Sequence, residues 1–147
     1  MTSDALDLLE QRLALPLPAP YRATMLAYPF APDSSAAELW LLDDLPKLLE
    51  FNSKRAGSWP SGFFVIGTDG GELTYLLDTT TPPFAVVAYD VETGKLEAQA
   101  PDFEAFARLL QDNLSSIGAD ERAMAEAYRN KKWWQFWIRP YPHRRAT

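Results

Sequence analysis

The sequence has no cysteine and a single histidine, His143. The first absence removes disulfide scaffolds, thiolate metal sites and cysteine nucleophiles. It suits a reducing compartment, and a cytoplasmic location is the expectation. The second leaves too few imidazoles for a zinc site and one candidate for a Ser-His-Asp arrangement. That candidate lies in Tyr141-Pro142-His143-Arg144-Arg145, where a chain end seldom fixes a side chain, so we set it aside as a catalytic base. Apolar runs stay well short of the roughly 20 residues that span a bilayer. The opening MTSDALDLLEQRLAL carries acids and no basic start before an apolar run, so it does not read as a secretory signal. Internal repeats and low-complexity tracts are also missing.

What is present is a globular composition. The 147 residues are 47% hydrophobic and 13% aromatic, enough to bury the core of one ordinary domain. The strongest local signal is GFFVIGTDGGELTYLLD, Gly62 to Asp78. It holds two apolar runs, Phe63 to Ile66 and Leu73 to Leu77, around Asp69-Gly70-Gly71. β-Branched and aromatic residues suit a half-buried pleated surface, and the glycines supply the positive φ of a tight reversal. The stretch predicts a β-hairpin. Phe84 to Tyr89 predicts a third strand, Asp90 to Lys95 a turn tightened at Gly94, and Leu96 to Ala98 a brief fourth strand. Short connections favour an antiparallel meander.

Helices are expected around that sheet. Ser3 is positioned to cap a first helix with Leu6, Leu9 and Leu13 on one face. Pro16, Pro18 and Pro20 stop it, and Pro20 suits the first turn of a second helix, Tyr21 to Tyr28. Ser35-Ala36-Ala37-Glu38 fits a capping box, but the apolar run Glu38 to Leu42 reads better as a strand. Asp43 or Asp44 can cap a third helix over Leu45 to Asn52, with Pro46 in its first turn. Asp102 can cap a helix from Phe103 to about Leu114 whose Phe103, Phe106, Ala107, Leu110 and Leu114 face the sheet. Ser115-Ser116-Ile117-Gly118 is read as its end, and a last helix is expected from about Asp120 toward Ile138. The fold class is therefore α+β, a single antiparallel meander with helices packed on it. Residues 1–118 form the main domain, and residues 119–147 a C-terminal helix and basic aromatic tail docked on it.

Charge is uneven along the chain. Up to Glu126 there are eight bases against 20 acids, a net charge of −12, and from Arg129 onward six bases and no acid. An acidic body repels nucleic acid and speeds encounter with basic partners. In the tail, Lys131-Lys132-Trp133-Trp134-Gln135-Phe136-Trp137 interleaves bases with aromatics. That pattern could bind single strands or an anionic membrane. A docked helix explains it better, with Trp134, Trp137 and Ile138 inward, and neither nucleic acid nor membrane is expected as a partner. Trp133 and Phe136 fall off the inward stripe and are candidate partner contacts.

Enzymatic constellations are weak. Gly67-Thr68-Asp69-Gly70-Gly71 lacks the lysine and hydroxyl of a phosphate loop and leads into a strand, so it is a turn. Asp43-Asp44 could do acid–base work if one pKa were raised, yet capping explains the pair as well. No ordered series of oxygen ligands suggests calcium. No metal or cofactor is expected. The acids Asp43, Asp44, Asp69, Glu72, Asp90 and Glu92, with Trp59, are the further candidates for partner binding. Several fall at turns of one sheet and could form one negative surface; Glu97 belongs to the same set.

The order of motifs resembles the SUKH superfamily. The features are Leu17-Pro18 followed by Tyr21, the Leu45 to Asn52 helix, Asp69-Gly70-Gly71, Tyr75 with Asp78, and Asp102 to Leu110. They cover roughly residues 5 to 115. Tyr28-Pro29-Phe30 stands where the family often has Asn-Gly, and the Trp-rich basic extension is not part of its common pattern. The superfamily includes bacterial toxin-immunity proteins and yeast regulators of cell-wall synthesis. The resemblance implies a non-catalytic module that neutralises a cognate toxin domain, one with a basic surface given the acidic body. The alternative it implies is a regulatory or scaffold protein with no toxin partner.

Overall fold

The computed structural model describes residues 1–32, 34–53 and 59–129. Its elements run α1 (Ser3–Leu13), α2 (Ala19–Leu26), a π-helical turn (Ala36–Trp40), α3 (Leu45–Ser53), β1 (Phe63–Thr68), β2 (Leu73–Asp78), β3 (Val86–Asp90), β4 (Leu96–Ala100) and α4 (Phe103–Arg129). The four strands form one antiparallel sheet in the order β1-β2-β3-β4. The α+β meander expected from the sequence is the fold. The chain divides into two compact units, Met1–Asp112 and Asn113–Thr147. The first holds the whole sheet.

Register explains how the sheet is covered. Phe64, Leu77 and Val86 stand opposite one another on neighbouring strands, as do Gly67, Tyr75 and Ala88. Successive side chains alternate faces, so both rows share one face. The Tyr21 ring meets Phe64 at 5.5 Å and Phe103 at 5.1 Å, and Tyr75 meets Phe106 at 5.3 Å. That face therefore lies under α2 and the start of α4. Each fully buried side chain of this size contributes roughly 1.5–3 kcal/mol, more than any single cap. On the opposite face Val65, Leu76 and Tyr89 are buried, with Trp59, Phe63 and Val87 packed against them.

Three expectations are corrected. The cap of α1 is Thr2, whose hydroxyl accepts from Ala5 N–H at 3.3 Å, rather than Ser3. Glu38 to Leu42 is not a strand. Ser34 accepts from Ala37 N–H, and Leu41 N–H reaches back five residues to Ala36 O at 2.8 Å. Only Leu42 then joins the sheet, donating to Ile66 O at 2.9 Å. The helical reading loses to a strand on local composition, yet it is the one the chain adopts, seated on Gly67. A Cβ at Gly67 would stand 2.2 Å from Trp40 O and 2.5 Å from Leu39 O. The carbonyl end of the helical turn thus rests on bare backbone. Third, Ser115 to Gly118 does not end a helix, since α4 continues to Arg129. A single glycine among helix formers costs about 1 kcal/mol and does not break the ladder.

The outer edge of β1 is closed without a strand. Asn52, buried in α3, donates from Nδ2 to Val65 O at 3.0 Å and accepts Val65 N–H at 2.8 Å through Oδ1. Its side chain stands in for a neighbouring strand's peptide, and Leu42 supplies the next bond. Asp44, not Asp43, caps α3 by accepting from Lys47 N–H at 2.9 Å. Asp102 caps α4 through Ala105 N–H at 2.7 Å. Arg22 bridges Glu10 at 2.7 Å and Asp7 at 2.6 Å, tying α2 to α1.

Candidate protein-binding surface

In a four-strand meander the β1–β2 and β3–β4 turns emerge at the same end of the sheet. Leu73 pairs with Asp90 and Val91 N–H donates to Glu72 O at 3.0 Å, which holds the two turns side by side. Four of the candidate residues, Asp69, Glu72, Asp90 and Glu92, therefore share one end. Two of them build the turns. Asp69 Oδ1 accepts from Gly71 N–H at 2.8 Å and Leu73 N–H at 3.0 Å. Asp90 Oδ1 accepts from Glu92 and Thr93 N–H, both at 2.9 Å. Gly70 and Gly94 take positive φ, 81° and 70°, where these turns reverse. Glu72 and Glu92 are exposed.

The electrostatics follow from those bonds. Thr93 N–H, with lesser help from Glu92 N–H and Lys95, holds the Asp90 carboxyl below its ordinary range. Burial pushes Tyr75 up, and the nearby charge of Asp69 adds to the effect. At the other end of β2, burial opposes the charge on Asp78, but Thr80 N–H and hydroxyl and Thr81 N–H outweigh it and lower its pKa. A carboxyl depressed in the folded state stabilises the fold above its unfolded pKa, and that contribution is lost as pH falls through the folded value. We expect Asp78→Ala to lower the urea midpoint at neutral pH. The gap to the parent should close progressively below about pH 4, as urea titrations across pH would record. A gap that stays constant down to pH 2 would contradict the assignment.

The remaining candidates lie elsewhere. Asp43 is half-buried and Asp44 exposed at the start of α3, beside the β1 edge rather than at the turns. Trp59 packs edge-on against Tyr89 at 5.6 Å on the sheet face away from α4, with no partner for its Nε1 among the described residues. Trp133, Phe136 and His143, with the proposed docking of the tail, fall outside the described residues. Sequence reasoning missed two apolar members of the acidic end. Val91 is 53% exposed between Asp90 and Glu92. Leu39 is 37% exposed and lies over Gly70, 3.1 Å from where a Cβ there would stand. The signal for Val91 was present, a β-branched residue in an otherwise polar turn. Leu39 is placed only by the helical turn.

Among the described residues no three His, Cys, Asp or Glu gather to hold a metal, and no helix is long and apolar enough to cross a membrane. A hollow of about 220 Å³ lies between the C-terminal ends of α1 and α3, lined by Arg12, Leu13, Leu15, Asn52 and Ser53. Its amide, Asn52, is committed to β1.

The model of the SMI1 / KNR4 family (SUKH-1) matches residues 1–108. No curated protein and no solved structure gives a significant match.

Proposed function

The chain belongs to the SMI1 / KNR4 (SUKH-1) family, and from that premise we propose that it is an immunity-type module that binds and blocks a cognate bacterial toxin domain in the cytoplasm, without chemistry of its own. The observation that carries this reading is the gathering of Asp69, Glu72, Asp90 and Glu92 around exposed Val91 and Leu39 at one end of the sheet. Acids steer a basic partner into encounter. Apolar side chains among them supply contact area once water is excluded. The turns are already fixed by Asp69 and Asp90, so little ordering cost falls on binding. A regulator of the same family with no toxin partner is the alternative, and genetics separates the two.

The test is co-expression with toxin domains encoded beside the gene. The expected result is survival with the parent chain and co-purification of the toxin domain. Glu72→Lys with Glu92→Lys should slow association roughly tenfold at low salt, and the difference should fade as salt is raised. Both glutamates are exposed, so folding is unchanged. If every neighbouring toxin domain kills in the presence of the parent chain and none co-purifies, the regulatory reading replaces this one.

A further inference from the structure

The two edges of the sheet are treated differently. That of β1 is closed by Asn52 and Leu42, whereas β4 lies at the end of the strand order. Ala88 stands opposite Glu97, and Asp90 N–H donates to Lys95 O at 2.9 Å, so Lys95 and Glu97 turn their peptide groups toward β3. The intervening Leu96 and Ala98 turn theirs outward. All four side chains are exposed, and Leu96 is 41% exposed. Val86 faces Ala100 while Val87 faces Ala98, which makes Gln99 the extra residue of a bulge and bounds the regular edge at Ala98.

We propose that two copies of this chain pair through the outer edge of β4, antiparallel, with Leu96 opposite Leu96 of the second copy. The register is chosen by charge. Centred on Leu96, it sets Lys95 opposite Glu97 of the second copy and Glu97 opposite Lys95 of the second copy. Both pairs occupy non-hydrogen-bonded positions, where facing side chains come closest. Centred on Glu97, the register would put two glutamates face to face, which is destabilising. In the chosen register the Leu96 peptides exchange two hydrogen bonds, and Ala98 N–H of each copy meets Gly94 O of the other. Gly94 N–H is already held by Asp90 O at 2.8 Å, so only its carbonyl is offered. The two sheets become one of eight strands, and the acidic ends stay free at opposite sides of the two-fold axis. Within a single copy Lys95 and Glu97 form no salt bridge among the described residues, and Lys95 acts on Asp90 only through its charge. The proposal is independent of the toxin reading.

Sedimentation equilibrium of the full chain over a wide concentration range tests it. The parent chain is expected to dimerise reversibly. Glu97→Lys and Lys95→Glu, each alone, should weaken dimerisation about tenfold or more. An equimolar mixture of the two variants should restore it, because each then faces opposite charges. The double swap should dimerise like the parent. Amide exchange at Leu96 and Ala98 should slow as concentration rises. A parent chain that stays monomeric throughout, single variants that dimerise like the parent, or a mixture that associates no better than its components would each overturn the proposal.

Discussion

Gly67→Ala is expected to cost about 3 kcal/mol or more, a large share of the 5–15 kcal/mol that holds a domain folded. The added Cβ would lie 2.2 Å from Trp40 O and 2.5 Å from both Leu39 O and Trp40 C. All three are backbone atoms, so no side-chain rotation relieves the overlap. Either the π-helical turn lifts off β1, breaking the bond from Leu42 N–H to Ile66 O, or the strand bulges further at Ile66. Gly118→Ala is the matched control. It lies within α4 with nothing inside 4 Å of the new Cβ, and should stabilise the helix by about 1 kcal/mol. Urea unfolding of both variants gives the comparison. A Gly67→Ala chain within 1 kcal/mol of the parent would mean that the turn is not seated on β1 as described.

Asn52→Ala is expected to be nearly as damaging. The residue is 5% exposed and makes three bonds, to Val65 N–H, Val65 O and Leu48 O. Removing it leaves the Val65 peptide groups buried with no partner, at about 1–3 kcal/mol for each unsatisfied group. A total loss of about 3 kcal/mol follows, with faster amide exchange at Val65. Asn52→Asp is not a rescue, because a carboxylate would face Val65 O and Leu48 O where the amide donated. A stability unchanged by Asn52→Ala would show that water or a shifted chain satisfies β1 equally well.

These two positions also mark where the sequence stops being legible. The hairpin, the third strand and the helices beginning at Leu45 and Phe103 follow from periodicity, turn residues and capping acids. Those signals are local. Glu38 to Leu42 has the composition of a strand, but Ala36–Trp40 forms a helical turn whose carbonyl end fits only against the bare backbone of Gly67, distant in sequence. Asn52 looks like a polar residue at a helix end, and its role depends on Val65 arriving beside it. Ser115 to Gly118 looks like a stop, but nothing there forbids a helix and α4 passes through. For the candidate surface, the acids and their turns were readable, and their assembly at one end follows from meander topology. The separation of Asp43 and Asp44 from that group does not, because the helical turn and α3 place them beside the edge of β1.

At the acidic end, the carboxylates of Asp69 and Asp90 are spent on the backbone of their own turns, while Glu72, Val91 and Glu92 hang their side chains outside. Turn shape and exposed surface are thereby written in different letters. Under the proposed toxin-binding reading, a lineage that meets a new toxin can revise the second set one residue at a time, and the frame displaying those residues survives each revision.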